Sequence, residues 1–217
     1  MTNDHRASFI RRCVGAAAAA IVLVVVACSE VSAPPPSTNR AIASSLESAR
    51  AAKTTLPHSF LVQGLLRVKP LDNPVVVTKV IPSGGGSIDV PGTDFQLQIP
   101  KGAFDGKGMA ITVRALAGYT VAYDFEPHGV VFNVPLKFVQ HLGHTNLKGV
   151  KPPPGFNNRL SGAYFPKANL VDPTSGIAVV TELLPANLTW SGDQIVFSIW
   201  HFSGYMVSTG CEDGGSQ

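Results

Sequence analysis

Two histidines three residues apart, His141 and His144, are a pair of side chains in this sequence that are typical metal ligands. No Cys, Asp or Glu at a convincing spacing accompanies them, and Gly143 between them favours a turn. The sequence also contains no Gly-x-Ser-x-Gly elbow, no phosphate-binding loop, no dinucleotide fingerprint and no carboxylate pair with the spacing of a glycosidase. We therefore expect no metal, no cofactor and no conventional enzyme active site.

The N-terminus has the charge and hydropathy pattern of a secretion signal. Arg6, Arg11 and Arg12 form a positive segment, and an uncharged apolar run follows over residues 14–27. This run has the length of a signal-peptide core and is shorter than the about 20 residues that a membrane-spanning helix needs. We interpret residues 1–27 as a signal peptide that is removed from the mature protein.

The leader ends Val25-Val26-Ala27-Cys28, which resembles the lipobox of bacterial lipoproteins. The resemblance implies cleavage after Ala27, a diacylglycerol on the sulfur of Cys28 and an acyl chain on its amine. An ordinary signal peptide with an incidental cysteine is the alternative. The expected location is a membrane, reached through acylated Cys28, and the outer membrane where there is one, because Ser29 rather than Asp follows.

A flexible tether is expected between the lipid and the folded body. Residues 29–57 are rich in Ser, Ala, Pro and Thr and cannot bury enough apolar surface to fold alone, so we assign residues 28–57 to the lipidated cysteine and a tether. A Gly/Ser-rich tail is predicted over residues 209–217. With Cys13 removed and Cys28 acylated, Cys211 alone remains, which excludes a disulfide within one mature chain.

The charge of the mature chain disfavours one class of partner. The full sequence has 17 Lys/Arg against 14 Asp/Glu, and residues 1–27 hold three of the former and one of the latter. The mature chain therefore keeps 14 against 13, a net charge of +1. Nucleic-acid binding normally requires a basic patch, so we expect no nucleic-acid partner.

Residues 58–208 consist of short runs in which apolar and polar residues alternate, bounded by Gly, Pro and Asn. The clearest pair of runs flanks a Pro-Gly turn and predicts a hairpin, with apolar positions Ile88 and Val90, then Phe95, Leu97 and Ile99. Period-2 runs of this kind, with no persuasive helical period after the leader, are typical of an antiparallel β-sandwich. The predicted class is all-β.

Three blocks of this body resemble one known family. The first runs from Gly85-Gly86-Ser87-Ile88 to Ile99-Pro100-Lys101-Gly102-Ala103, the second is the aromatic-x-Pro-x-Gly-x-x-Phe-x-x-Pro pattern over residues 125–135, and the third covers residues 199–207. They are similar to the ZU-five domain, a β-sandwich module of zonula occludens proteins, netrin receptors and ankyrins that bacterial lipoproteins also carry. The positions that carry the resemblance in the first two blocks are Gly85, Gly86, Ile99, Pro100, Gly102, Ala103, Pro127, Gly129, Phe132 and Pro135.

The second block makes local predictions about structure. Pro127 and Gly129 are expected to form a turn, because Pro presets φ and Gly accepts a positive φ. Phe132, Val134 and Leu136 alternate beyond it and are expected to face the core.

In the third block, His201-Phe202-Ser203 is similar to the triplet at which some members of this superfamily, in inflammasome sensors and death-domain adaptors, cut themselves between Phe and Ser. The resemblance implies that Ser203 Oγ attacks the Phe202 carbonyl carbon, giving an ester that water hydrolyses, while His201 takes the hydroxyl proton. Residues two apart in a strand face the same side, which would bring His201 near Ser203. Backbone strain and a donor to the Phe202 carbonyl are also required. The alternative is packing, with Phe202 in the core.

The sequence leaves three functions open. The preferred one is a lipid-anchored module of the cell envelope with a structural or protein-interaction role and an unidentified envelope protein as partner. The second is a single-turnover autoprotease acting at Phe202–Ser203, which is the one enzymatic activity considered. The third is a carbohydrate-binding module, which predicts exposed aromatic side chains on a flat face from among Tyr164, Trp190 and Trp200.

Overall fold

The computed structural model describes residues 58–149, 160–189 and 191–211. The predicted signal peptide, Cys28, the tether, Trp190 and residues 212–217 lie outside the described residues. The last strand runs to Cys211, past the predicted domain boundary at residue 208.

The described chain is built almost wholly of β-strands. A single turn of 3-10 helix, Ala168–Leu170, is its one helical element, and every strand pairing in the described part is antiparallel. The all-β antiparallel prediction is therefore confirmed. The strands are β1 Phe60–Gly64, β2 Leu66–Leu71, β3 Val75–Pro82, β4 Gly86–Val90, β5 Phe95–Ile99, β6 Gly108–Ala115, β7 Gly118–Thr120, β8 Ala122–Glu126, β9 Val131–His141, β10 Ser161–Phe165, β11 Ile177–Val180, β12 Glu182–Leu188, β13 Gln194–His201 and β14 Gly204–Cys211.

The main sheet follows the order β3-β6-β8-β14-β10-β12-β13-β9-β5-β4, with β1 joined to β14 and to β11. Its two end strands are consecutive in the chain, and β3 and β4 approach each other beside the short link that joins them. The antiparallel sheet therefore curves into a near-barrel. Strands β2 and β7 form a separate two-stranded sheet.

The predicted hairpin is confirmed as β4 and β5. Ile88 pairs with Leu97 and Val90 with Phe95, and all four side chains are buried. The alternating pattern produces this result because successive side chains of a strand point to opposite faces. Pro100 follows the last paired residue, as expected of a residue that cannot donate to a ladder.

Aromatic rings from distant strands fill the interior. Phe95 of β5 stacks on Tyr123 of β8 with ring centroids 4.1 Å apart, and Phe138 of β9 stacks on Phe197 of β13 at 4.2 Å. Tyr205 of β14 lies against this group, 6.5 Å from Phe197. The Phe95–Tyr123 and Phe197–Tyr205 contacts join strands that are not neighbours in the sheet order, so the core stabilises its curvature.

The prediction that Val134 faces the core is wrong. Phe132 and Leu136 are buried as expected, but Val134 is 39% exposed. The cause is a register shift in the β9–β13 pairing between Ile199 and His201, opposite this part of β9. An irregularity of this kind breaks the strict alternation of faces, so the period-2 rule fails locally.

Candidate functional site

The triplet His201-Phe202-Ser203 lies where the chain leaves one strand and enters another. Strand β13 ends at His201 and β14 begins at Gly204, so Phe202 and Ser203 form the connection between them. The two strands do not pair with each other, since β13 pairs with β9 and β12 while β14 pairs with β8, β10 and β1. The triplet is therefore a crossover between two parts of the sheet and not one continuous strand.

Backbone hydrogen bonds hold this crossover against the turn that precedes β9. The Phe202 N–H donates to the Val130 carbonyl at 2.9 Å, and the Phe202 carbonyl accepts from the Gly129 N–H at 3.1 Å. The next carbonyl, that of Ser203, accepts from the Phe125 N–H at 3.1 Å. A donor to the Phe202 carbonyl, one requirement of the self-cleavage chemistry, is thus present.

The Phe202 side chain is part of the core. It is 1% exposed, stacks on Phe125 with ring centroids 5.7 Å apart, and meets the edge of Phe132 at 4.7 Å. The packing role expected for Phe202 is confirmed.

His201, the predicted base, contacts two tyrosines. The Tyr205 hydroxyl donates to the His201 carbonyl at 3.0 Å and lies 3.2 Å from the His201 Nδ1, while the Tyr164 ring meets the His201 ring edge-on at 5.1 Å. Burial raises the pKa of Tyr205, with the negative charge of Glu182 adding to the effect. Tyr205 therefore stays a neutral donor beside His201.

Ser203 is buried, at 6% exposure. Within the described residues, no hydrogen bond joins its side chain to that of His201. The structure thus places the three predicted cleavage residues together along the chain without pairing the base with the nucleophile.

The three sequence blocks that resemble the ZU-five domain adjoin in space. Asn133 in the second block donates its N–H to the Ala103 carbonyl of the first at 2.8 Å, and Gly129 of the second contacts Phe202 of the third as described above. Ala103 and Phe132 are buried.

Gly85 in the first block has a structural reason for its identity. Its φ is +88°, and a Cβ at this position would lie 2.5 Å from the Ile99 carbonyl oxygen. Gly102 and Gly129 also have positive φ, at +78° and +79°, and Gly129 forms the expected turn after Pro127. Gly86, Ile99 and Pro135 lie in β4, β5 and β9, and Pro100 follows β5. These positions serve the backbone and the core.

A surface with one exposed tryptophan lies across β9, β13 and β12. Trp200 is 52% exposed, next to the buried Ile199 in β13. A groove of about 710 Å³ extends from Trp200 across β13 to β12. We refer to this surface as the Trp200 face and define it by Lys137, Glu182, Leu184, Val196, Ser198 and Trp200.

His141 and His144 contact Asp94 in different ways. The His144 Nδ1 pairs with the Asp94 carboxylate, while the backbone N–H of His141 donates to the Asp94 carbonyl at 2.9 Å. In residues 58–149, 160–189 and 191–211, no group of three His, Cys, Asp or Glu side chains is arranged to hold a metal ion.

Sequence reasoning missed Arg67, which is buried at 6% exposure in β2. The available signal was a single charge within the otherwise apolar run Leu65-Leu66-Arg67-Val68. Charged side chains are seldom buried without a partner, so a charge in an apolar run indicates a buried group with hydrogen-bond acceptors close to it.

No protein-family model matches the chain, and a search of curated proteins likewise gave no match. In the part of the chain that the structure describes, no helix is long and apolar enough to cross a membrane. The ZU-five resemblance and the lipid anchor stay predictions.

Proposed function

We propose that the chain is a lipid-anchored protein of the cell envelope whose β domain binds a protein partner through the Trp200 face. The anchor is acylated Cys28, residues 29–57 are the tether, and the domain is a two-layer sandwich of the ZU-five kind. The observation that carries the interaction role is the exposure of Trp200, at 52%, beside a groove lined by apolar and charged side chains.

The composition of the Trp200 face supports a protein partner. Trp is enriched at the energetic centres of protein interfaces, and charged residues are common at their rims. Trp200, Leu184 and Val196 supply the apolar area, while Lys137 and Glu182 supply opposite charges in the same groove. A solvent-exposed tryptophan does not pack in the core, and an exposed aromatic side chain beside a groove is typical of a binding surface.

Two features support the sandwich assignment. The three sequence blocks adjoin through backbone hydrogen bonds, the rings of β5 and β9 pack against Tyr123 of β8, and Phe197 of β13 packs against Tyr205 of β14. Contacts of this kind between opposite parts of one curved sheet are compatible with the shared core of a sandwich.

Site-specific photo-crosslinking in the cells that make the protein tests the partner surface. A photoreactive phenylalanine analogue replaces Ser198 on the Trp200 face in one strain and Val80 of β3 in another. Both positions are exposed, and they lie on strands far apart in the sheet order. We expect a discrete protein adduct from position 198 and none from position 80.

A second variant makes the assignment specific. Adding Trp200→Ala to the position 198 probe should reduce the adduct about tenfold or more, because truncating a central interface tryptophan commonly costs at least about 2 kcal/mol. Equal adducts from positions 198 and 80, or an adduct that is unchanged by Trp200→Ala, would contradict the proposal.

Carbohydrate binding by the same face gives a different result. In that case the position 198 probe yields no protein adduct, while envelope oligosaccharides quench the fluorescence of Trp200 in the purified protein. Exposure of Trp200 favours this candidate, since flat aromatic faces stack on sugar rings. The charged pair Lys137 and Glu182 is the reason to rank a protein first.

Self-cleavage at Phe202–Ser203 is the other candidate, and the hydrogen bond from the Gly129 N–H to the Phe202 carbonyl favours it. The test is the intact mass of the denatured mature protein beside Ser203→Ala. Self-cleavage predicts two fragments in the wild type, divided between Phe202 and Ser203, and one full-length mass in the variant. One full-length mass in both proteins would end this candidate.

A further inference from the structure

A line of polar side chains crosses the outer face of the sheet and ends at the Trp200 face. Ser87 of β4 pairs with Gln98 of β5, and Gln98 pairs with Lys137 of β9. Lys137 pairs in turn with Ser198 of β13. Residues directly opposite each other in neighbouring strands place their side chains on the same face, so these four side chains lie in one line across four strands. We refer to this line as the polar row.

Two grooves follow the polar row and meet at Lys137. One, of about 430 Å³, is lined by Ser87 and Gln98, and the other, of about 710 Å³, is lined by Ser198 and Trp200. Lys137 lines both of them. The two grooves thus form one elongated depression from β4 to β12, a shape that suits an extended ligand better than a compact one.

The charge at the middle of this depression is positive. Lys137 is exposed, and among the described residues no carboxylate forms an ion pair with it. The acid nearest the β4 end of the row, Asp89, accepts a hydrogen bond from Gln96 at 2.8 Å. The acid at the opposite end, Glu182, lines the groove beside Trp200. The middle of the depression therefore complements a negatively charged group.

The amide of Gln98 can bind a peptide group. Its Nε2 donates to Gln96 Oε1 at 2.7 Å, which leaves its own Oε1 and its second N–H for another molecule. A primary amide carries one acceptor and donors close together, and a peptide group presents the complementary acceptor and donor. The polar row therefore offers hydrogen bonds to a main chain next to a site for an acid.

We propose that the partner lays an extended segment along the polar row, with an acidic side chain on Lys137 and an apolar side chain against Trp200. This inference rests on the proposed function, in which the Trp200 face binds a protein, and it specifies the chemistry of the bound segment. Hydrogen bonds to the main chain supply affinity in this mode of recognition, and the side-chain sites supply specificity. Lys137 disfavours a basic side chain at its position, because like charges repel.

The test is photo-crosslinking of the whole protein in the cells that make it. The phenylalanine analogue replaces Ser87 in one strain and Ser198 in another. Three strand spacings of about 4.8 Å, or about 14 Å in all, separate the two positions, and an extended chain covers that distance in about four residues. We expect both probes to label the same segment of the same partner, at points about four residues apart. The masses of the crosslinked peptides give the two points.

Variants at position 137 test the acidic side chain. Lys137→Glu should reduce the adduct of the position 198 probe at least about tenfold, because an acid then faces an acid. Lys137→Arg keeps the charge and should keep most of the adduct. Lys69→Glu reverses an exposed charge on the separate sheet of β2 and β7, and this control should crosslink as the unchanged protein does.

Three results would overturn the proposal. An adduct from position 198 with none from position 87, or labels in unrelated segments, would exclude an extended segment while a protein partner still stands. Equal adducts from Lys137→Glu and Lys137→Arg would exclude the acidic side chain. No protein adduct from position 198, as a glycan in the grooves would give, would overturn the proposed function and this inference together.

Discussion

At the scale of single residues, two buried tyrosines make the stability of the domain depend on pH. Burial raises the pKa of Tyr205, with Glu182 and Tyr164 contributing, and burial also raises that of Tyr123. Each group keeps its proton in the folded state at a pH where the unfolded chain releases it. The stability that they contribute is therefore complete below pH of about 10 and declines above it.

The expected slope can be measured. Each buried tyrosine should lower the free energy of unfolding by up to about 1.4 kcal/mol per pH unit above a pH of about 10. Urea unfolding at intervals from neutral to alkaline pH measures this slope. In Tyr205→Phe the slope should be smaller than in the wild type, and equal slopes in the two proteins would show that Tyr205 does not titrate in this way.

Among the described glycines, Gly204 has the least space for an added Cβ. A Cβ at this position would lie 2.0 Å from a ring carbon of Phe165, whereas a Cβ at Gly84 would meet nothing within 4 Å. Gly204→Ala should lower the free energy of unfolding by about 1–3 kcal/mol through overpacking. Gly84→Ala, as the control, should change it by less than about 0.5 kcal/mol in the same denaturant titration. Similar effects of the two substitutions would contradict the close packing of β14 on β10.

At the scale of elements, the crossover from β13 to β14 depends on one ring. Phe202 anchors the connection between strands that do not pair with each other, and its N–H and carbonyl are both bound to the turn before β9. The crossover therefore belongs to the core and not to the surface, unlike most connections.

Removing the Phe202 ring should destabilise the domain. Phe202→Ala should reduce the free energy of unfolding by about 3–5 kcal/mol, the usual loss for a buried phenylalanine. Phe60 in β1 is 43% exposed, and Phe60→Ala should cost less than about 1 kcal/mol. Thermal and urea unfolding of both variants provide the comparison, and a small effect of Phe202→Ala would mean that the crossover is not fixed by its ring.

At the scale of the whole molecule, the proposed anchor determines where the domain acts. Cys28→Ser should remove the diacylglycerol and transfer the protein from the membrane fraction to the soluble fraction, because lipid chains supply the membrane affinity. Cys211→Ser is the matched control and should leave the protein in the membrane fraction, since Cys211 is a free, exposed thiol in the structure. Cell fractionation with mass spectrometry of the N-terminal peptide measures both, and a Cys28→Ser protein that stays with the membrane would contradict the anchor.

Much of the fold was predictable because its signals are local. The alternation in Ile88, Val90, Phe95 and Leu97 and the Pro-Gly turn between them predict the β4–β5 hairpin, and the structure has it. Burial of Phe202 was likewise predictable, since a phenylalanine between strand-forming residues rarely stays exposed. Alternation failed at Val134, where the register shift depends on the partner strand β13.

The sequence by itself determined the all-β antiparallel class and the strand pattern, because period-2 alternation and turn residues act over a few neighbouring positions. Only the tertiary structure decided that Phe202 and Ser203 form a crossover, that His201 meets Tyr205, and that Arg67 is buried and donates to carbonyls of β7. These facts depend on strand order and register, which bring together residues as far apart as Arg67 and His144. Contacts between distant segments leave no local pattern in the sequence, so only the folded structure shows them.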